Sequence, residues 1–332
     1  MSTQAFVARE TARLEARQFA GDVEYYLALT PRQLPSRYFY DALGSALFEA
    51  ICQLPWYGVT RAERRLLTAH SAAIVAALDP LATLVELGPG SGEKLGILVD
   101  HVVHAQPGGS LTVHLVDVSP AALAAARSTL GPRAGLDVVT HQATYEDGLE
   151  ALRQTSRRIA APGRTLVVFL GSNIGNFDPP GADEFLRTIR AALTAGDALL
   201  LGADLVKPAR DLILAYDDPL GVTAAFNRNL LVRVNRELGG DFDVDGFVHR
   251  AVWNAEALRV EMHLVSARGQ RVRVPASQLD ITFEPGETIW TESSYKYRPE
   301  GVLDMLTRTG FTSLAQWTDE AGGFALSLVQ AV

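Results

Sequence analysis

The chain has 332 residues, 48% of them hydrophobic, and a formal net charge of −8, which supports one large or two ordinary domains with real cores. The acidic balance, spread along the chain, argues against a nucleic-acid binder, which would present a basic face. A single cysteine, Cys52, excludes an internal disulfide and suits a reducing cytoplasm, while the N-terminus lacks the apolar core of a signal peptide and no apolar run is long enough to span a bilayer.

From residue 61 the pattern alternates between helix and strand. Arg61 to Leu78 reads as a helix, and Thr83 to Leu87 as a short buried strand. A helix over Gly92 to Val103 follows, then a strand over Leu111 to Val118. Ser119 and Pro120 open a helix through Leu130, the serine as cap and the proline at the first position. Leu136 to Thr140 is a strand, Glu146 to Ile159 a helix and Thr165 to Leu170 a strand. Asp183 to Leu193 is a helix with Asp183 near its start, and Ala198 to Leu205 a fifth strand. Near the C-terminus a helix over Glu300 to Thr309 is closed by Gly310, and strands follow at Ser313 to Thr318 and Phe324 to Val329.

Five βα alternations in order predict a mostly parallel sheet covered on both faces. Residues 61–205 and 297–332 are assigned to that sheet domain. Residues 1–60 and 206–296 are left over, with strand-like stretches at Arg259 to Val265 and Gln270 to Val274. They are expected to form a smaller α+β domain with a cleft against the sheet, since domain interfaces favour small-molecule sites.

The most informative stretch is Glu86-Leu87-Gly88-Pro89-Gly90-Ser91-Gly92, after the apolar run Leu84-Val85. A strand that ends in such a turn can cradle a nucleoside, because glycine lets the backbone approach a ligand closely. The dinucleotide fingerprint is broken, since residue 93 is Glu93 rather than glycine. The pattern acid-x-Gly-x-Gly-x-Gly resembles the first motif of class I S-adenosylmethionine-dependent methyltransferases. Glu86 suits a co-substrate that carries a sulfonium and an ammonium. Asp117, at the end of the second strand, is placed to accept hydrogen bonds from ribose hydroxyls. The alternative for Asp117 is an acid favoured by the start of a helix.

Other segments match one family. They are Ser36 to Asp41, Leu54 to Tyr57 with Thr60-Arg61, Phe169 to Asn176, Ala215 to Asp218, Thr223 to Asn229 and Tyr297 to Glu300. Together they resemble the histidine Nα-methyltransferases of ergothioneine biosynthesis, in order from about Leu34 to Val329. The resemblance implies a class I, Rossmann-like sheet with an inserted substrate domain. It also implies transfer of three methyl groups from S-adenosylmethionine to the α-amine of L-histidine, giving the betaine hercynine. The family's cofactor residues fall on Gly88, Lys94, Asp117, Thr144 and Tyr145. Thr144 stands where the family carries an acid, so its hydrogen bond to adenine is expected to be the weaker one. The family's amino-acid site falls on Tyr40, Phe48, Tyr57, Gly171, Asn176, Tyr216, Met262, Glu292 and Ser294.

These residue types suit the chemistry. Asn176 and Tyr216 offer neutral donors to a carboxylate, with Arg228 as a charged substitute. Tyr40, Phe48 and Tyr57 present ring faces that tolerate a growing methylated cation. Tyr57, Tyr40 and Asn176 are therefore the expected catalytic set, holding the reacting groups in place. Glu292 and Ser294 alternate on a strand-like stretch and can read two imidazole nitrogens from one side. Met262 would supply the apolar wall.

Each residue also has a plainer reading. Asn176 could satisfy its own turn, Phe48 and Tyr57 could be core aromatics, Glu292 a surface acid opposite Lys296 or Arg298, and Met262 core filler. Two other functions compete: methylation of tryptophan or tyrosine, and a non-catalytic S-adenosylmethionine-binding protein. No metal is expected, because His101 and His104 lack a carboxylate or thiolate at ligand spacing. A small amino acid is the expected partner, with no nucleic acid or membrane, for a monomer in the cytoplasm.

Overall fold

A computed structural model describes residues 3–106, 108–158 and 163–332. The chain begins with helix α1 (Thr3–Leu27), the two-residue strand β1 (Arg32–Gln33) and helix α2 (Ala42–Gln53). Next come α3 (Val59–Ala77), β2 (Leu81–Leu87), α4 (Glu93–Ala105), β3 (Leu111–Asp117), α5 (Pro120–Leu130) and β4 (Leu136–Gln142). They are followed by α6 (Tyr145–Arg158), β5 (Arg164–Phe169), α7 (Pro179–Ala192) and β6 (Ala198–Asp204). Two helices, α8 (Ala209–Tyr216) and α9 (Val222–Leu238), precede five strands: β7 (Phe247–Asn254), β8 (Arg259–Ser266), β9 (Gln270–Val274), β10 (Leu279–Phe283) and β11 (Thr288–Tyr295). The chain closes with α10 (Pro299–Arg308), β12 (Phe311–Asp319) and β13 (Phe324–Ala331). Pro107 and Ile159, which fall in a predicted loop and at a predicted helix end, lie outside the described residues.

Local chemistry sets several of these boundaries. Ser119 caps α5, its Oγ accepting from the Ala122 amide at 3.3 Å, with proline in the first turn. Helix α7 starts four residues before the predicted Asp183. Asp178 is its cap, accepting from the Gly181 amide at 2.8 Å, and Pro179 and Pro180 occupy the first turn. Asp183 lies inside the helix and pairs with Arg308.

The described residues form two compact units. One comprises Gly58–Pro208 and Ser294–Val332, the other Met1–Tyr57 and Ala209–Ser293.

The first unit is built on a seven-stranded sheet in the order β12-β13-β6-β5-β2-β3-β4. The β2–β3, β3–β4, β2–β5 and β5–β6 pairings are parallel, and β13 runs antiparallel to both of its neighbours. The central strands read as near-continuous apolar runs, as expected when helices cover both faces. Leu199, Leu200 and Leu201 are fully buried, as are Val167, Val168 and Phe169. One core cluster joins this sheet to α7 and α10 through Phe169, Phe185, Leu186, Val302 and Leu306. The strand order reverses at β2, whose neighbours β3 and β5 carry the chain to opposite sides. The crevice at such a reversal, at the carboxyl ends of the strands, is where open α/β sheets bind ligands.

The second unit contains a four-stranded sheet in the order β1-β11-β8-β7 and a separate β9–β10 hairpin. Strand β1 adds parallel to β11, pairing Arg32 with Ile289, and β7 and β8 form an antiparallel pair. Helix α2 is capped by Asp41, which accepts from the Gly44 amide at 2.7 Å, the Asn229 amide group at 2.8 Å and Arg236 at 2.7 Å. Asp218 accepts from the amides of Leu220, Val222 and Thr223 at 2.8–3.2 Å, which fixes the entry into α9.

Candidate active site

The glycine loop sits directly after β2, at the strand-order reversal. Gly88, Gly90 and Gly92 all have positive φ, of 74°, 53° and 76°. Gly88 requires its missing side chain for a second reason. A Cβ there would lie 2.8 Å from the Tyr145 hydroxyl and 3.1 Å from Asn173 Nδ2, so the loop, α6 and the segment after β5 converge on this point. Glu86, on β2, is 1% exposed, and its Oε2 has no hydrogen-bond partner. Burial pushes its pKa up to about 8, against the pull of Lys94 and with the push of Glu63 and Asp117. A buried, orphaned carboxyl beside a glycine cradle fits a cationic ligand, which would supply the missing partner.

Asp117 ends β3. Its Oδ1 accepts from the Ser119 amide at 2.8 Å, and burial holds its pKa above the ordinary carboxylate range against backbone hydrogen bonds from Ser119 and Val118. Thr144 is engaged locally. It donates to Asp147 at 3.0 Å and accepts from the Asp147 amide at 3.2 Å, capping α6. Tyr145 packs edge-on against Phe169, and burial pushes its hydroxyl pKa well above the usual value.

Lys94 leads to a residue that the sequence did not single out. Its Nζ donates to Glu63 at 2.6 Å, and the Glu63 side chain is fully buried. Both Glu63 oxygens lie 2.9 Å from the Gly171 amide. One carboxylate thus ties a cofactor candidate to an amino-acid candidate. It also explains Gly202 on β6, where a Cβ would fall 2.1 Å from Glu63 Oε1. An acid in the run Arg61-Ala62-Glu63-Arg64-Arg65 reads as a solvated helix face, which hid it.

Beyond β5 the chain turns through Gly171 and Ser172, with φ of 74° and 61°, into the 3₁₀ turn Asn173–Asn176. Ser172 Oγ accepts from the Asp204 amide at 2.9 Å, Tyr297 donates to the Ile174 carbonyl at 3.2 Å, and Asn176 is exposed. Ser294, near the end of β11, is buried and accepts from Lys296 at 2.9 Å.

The aromatic candidates belong to the other unit and form one cluster. Ring centroids lie 5.7 Å apart for Tyr40 and Phe48, 6.3 Å for Phe48 and Tyr57, and 6.4 Å for Tyr57 and Tyr216. Phe226 joins them, 5.9 Å from Tyr40 and 6.0 Å from Phe48. The neighbouring motif residues hold this cluster in place. His249 bonds the Tyr216 carbonyl at 2.8 Å and is itself held by Asn227 at 2.8 Å. Arg228, the charged substitute for carboxylate binding, donates to the Phe247 carbonyl at 2.9 Å. Met262 on β8 is 1% exposed, and its carbonyl accepts from Thr291 at 3.0 Å. Glu292 is half-buried, and its carbonyl accepts from the Trp290 indole at 2.8 Å. Among the described residues no three His, Cys, Asp or Glu side chains are grouped to hold a metal, and no helix is long and apolar enough to cross a membrane.

A seven-stranded sheet of this order, with a glycine loop at the reversal and a strand-end acid on the next strand, defines a class I S-adenosylmethionine-dependent methyltransferase. Residues 19–331 match the family described as histidine-specific, SAM-dependent methyltransferases. The chain is 43% identical over 331 residues to the histidine N-alpha-methyltransferase of Mycolicibacterium smegmatis, covering 99% of this chain and 98% of that one. It is 44% identical over 309 residues to that of Mycobacterium tuberculosis, covering 92% and 93%. Ergothioneine biosynthesis protein 1 of Schizosaccharomyces pombe is 27% identical over 311 residues, covering 90% of this chain and 39% of that one. The chain belongs to the histidine-specific, S-adenosylmethionine-dependent methyltransferase family.

Proposed function

We propose that the protein moves three methyl groups in succession from S-adenosylmethionine to the α-amine of L-histidine, giving hercynine for ergothioneine biosynthesis. The observation that carries this reading is the family match across residues 19–331 on a sheet whose cofactor loop is intact. In each round the amine lone pair attacks the methyl carbon, the carbon–sulfur bond breaks and its electron pair stays on sulfur. A proton leaves nitrogen before the next round, and the third round leaves a nitrogen with no proton to lose. An α-amine titrates near pH ~8, so water suffices as the base and catalysis is chiefly positioning.

Glu86, Gly88, Gly90, Gly92, Lys94, Asp117 and Tyr145 serve the co-substrate, with Asp117 on the ribose. Thr144, which caps α6, meets the adenine of the co-substrate with a weaker hydrogen bond than an acid would make. Tyr57, Tyr40 and Asn176 hold the reacting groups. The ring cluster of Tyr40, Phe48 and Tyr57 tolerates the cation as it gains methyls. Gly171 and Tyr216 complete the grip on the amino acid, and Glu292, Ser294 and Met262 choose its side chain. We further propose that the enzyme works as a monomer in the cytoplasm.

The test incubates purified protein with S-adenosylmethionine and the twenty amino acids, and identifies methylated products by mass. Trimethylated histidine is the expected product. Methylated tryptophan or tyrosine in its place would move the reading to another substrate, and no product at all would leave a binding protein.

A further inference from the structure

We propose that His249 is a positioning residue for the amino-acid site: held as one neutral tautomer by Asn227, it anchors the Tyr216 carbonyl and so aims the Tyr216 ring into the aromatic cluster. The inference rests on the reading above that Tyr216 grips the amino acid.

All of these residues belong to one compact unit. Tyr216 is the last residue of α8, an eight-residue helix. The final carbonyls of a helix look beyond it for donors, and a histidine is a suitable one. His249 comes to this end from β7, and its Nε2 lies 2.8 Å from the Tyr216 carbonyl oxygen. In so short a helix, the anchor of the last peptide group fixes the direction in which the last side chain leaves. That ring stands 6.4 Å from Tyr57. Tyr216 and Asn227 lie in two of the segments shared with the family, whereas His249, which joins them, lies outside all of those segments.

The polarity of this contact is set from the far side of the imidazole. The His263 carbonyl can only accept, so the Asn227 group 3.2 Å from it is the NH2. The same NH2 lies 2.8 Å from His249 Nδ1, which must then accept and carry no proton. The ring proton is left on Nε2, where it is donated to Tyr216. The Asn227 amide keeps this orientation although its buried Oδ1 is left without a partner. Turned over, it would set its oxygen against the His263 carbonyl. Burial holds the His249 pKa below the ordinary histidine value, with help from Arg228 and against the pull of the Tyr216 carbonyl, Asp217 and Asp218. A charged ring would put a second N–H against the Asn227 NH2.

The experiment measures kcat and KM for histidine, with S-adenosylmethionine affinity and the urea midpoint alongside. His249→Asn places its amide near Nδ1 and offers the Tyr216 carbonyl nothing. It should raise KM for histidine about fivefold with kcat within about twofold, because the Tyr216 grip acts on bound substrate and transition state alike. His249→Gln carries its amide out to the place of Nε2 and should bring KM back to within about twofold of the parent. Tyr216→Phe should raise KM as well, and adding His249→Asn to it should raise KM no further, because both act through one side chain. S-adenosylmethionine affinity should stay within about twofold in every variant. A parental KM in His249→Asn, while Tyr216→Phe raises it, overturns the proposal and leaves Tyr216 its role. Losses that multiply in the double variant overturn it too, as does a His249→Gln protein with the parental urea midpoint and the weak histidine KM of His249→Asn. A parental KM in Tyr216→Phe overturns the reading of Tyr216, and the proposal with it. If His249→Asn does not fold, His249→Phe, which keeps a ring and offers no donor, is judged by the same criteria.

Discussion

Glu63 and Lys94 meet at 2.6 Å, and the same Glu63 carboxylate takes the backbone N–H of Gly171 at 2.9 Å. One buried acid on α3 therefore fixes a lysine of the cofactor loop region and the turn after β5 together. Glu63→Gln keeps an acceptor for Gly171 but loses the ion pair, and should cost about 1–3 kcal/mol of stability. Gly202→Ala should cost a similar amount by pushing into the carboxylate. Urea midpoints check both, and a Glu63→Gln midpoint equal to the parent would remove the carboxylate from this role.

Asp117→Ala should weaken S-adenosylmethionine binding by roughly 1.5–3 kcal/mol, the scale of a lost charge-assisted hydrogen bond. Asp117→Asn keeps an acceptor for the Ser119 amide, so it separates ribose binding from loop support. Calorimetric titration that finds parental affinity in both variants would exclude the ribose assignment.

Glu86 gives a pH dependence with a definite sign. Its pKa is raised by burial from 4.5 to about 8 in the folded protein, so the folded state holds a proton that the unfolded chain has lost. Its contribution is complete below about pH 4.5 and declines as pH rises toward about 8. Glu86→Gln, which cannot ionise, should gain stability relative to the parent across that window, read from denaturation midpoints at several pH values. The cationic co-substrate should favour the ionised carboxylate. Binding near pH ~7 should then release a proton from the parent, seen as buffer-dependent calorimetric heat, and release less from Glu86→Gln.

The sheet was legible because buried parallel strands read as short apolar runs between helical periods, and because turn chemistry such as Ser119-Pro120 marks its own position. The start of α7 was missed because Asp178 and Asp183 are equally acidic to the eye; the paired prolines were the better signal. Strands β7 and β10 escaped notice, since their alternation mixes charged and apolar residues on half-exposed surfaces. The family motifs were visible, but the work of each residue in them was not. Asp41, Asp218, Asn227 and Asn229 cap helices or hold other side chains, and only their partners reveal this. Glu63 was invisible for the opposite reason, because long-range burial turned a surface-like acid into a core ion pair.

Asn176 is exposed, so its loss should spare the fold. Asn176→Ala should weaken histidine binding and leave cofactor affinity nearly intact. Equal losses in both, or in neither, would make it a structural turn residue.

Selectivity should respond to Glu292 and Met262. Glu292→Ala should lower histidine kcat/KM by on the order of 2–4 kcal/mol in transition-state terms, and should admit larger aromatic amino acids. Adding Met262→Val should extend that relaxation at a core cost of about 1 kcal/mol. Rates with histidine and tryptophan in the parent and both variants decide the matter. A histidine preference that survives Glu292→Ala would place side-chain recognition elsewhere.

Strand β13, residues Phe324–Ala331, lies between β12 and β6 rather than at an edge of the seven-stranded sheet. During synthesis, β6, apolar from Ala198 to Ala203, therefore waits with an open flank until more than a hundred further residues have been made, including the whole inserted segment Ala209–Ser293. The insert can begin to order while its host is still incomplete. The nascent chain must keep the β6 flank from pairing with other strands during that interval, so the ribosome-bound stage is the one most exposed to aggregation.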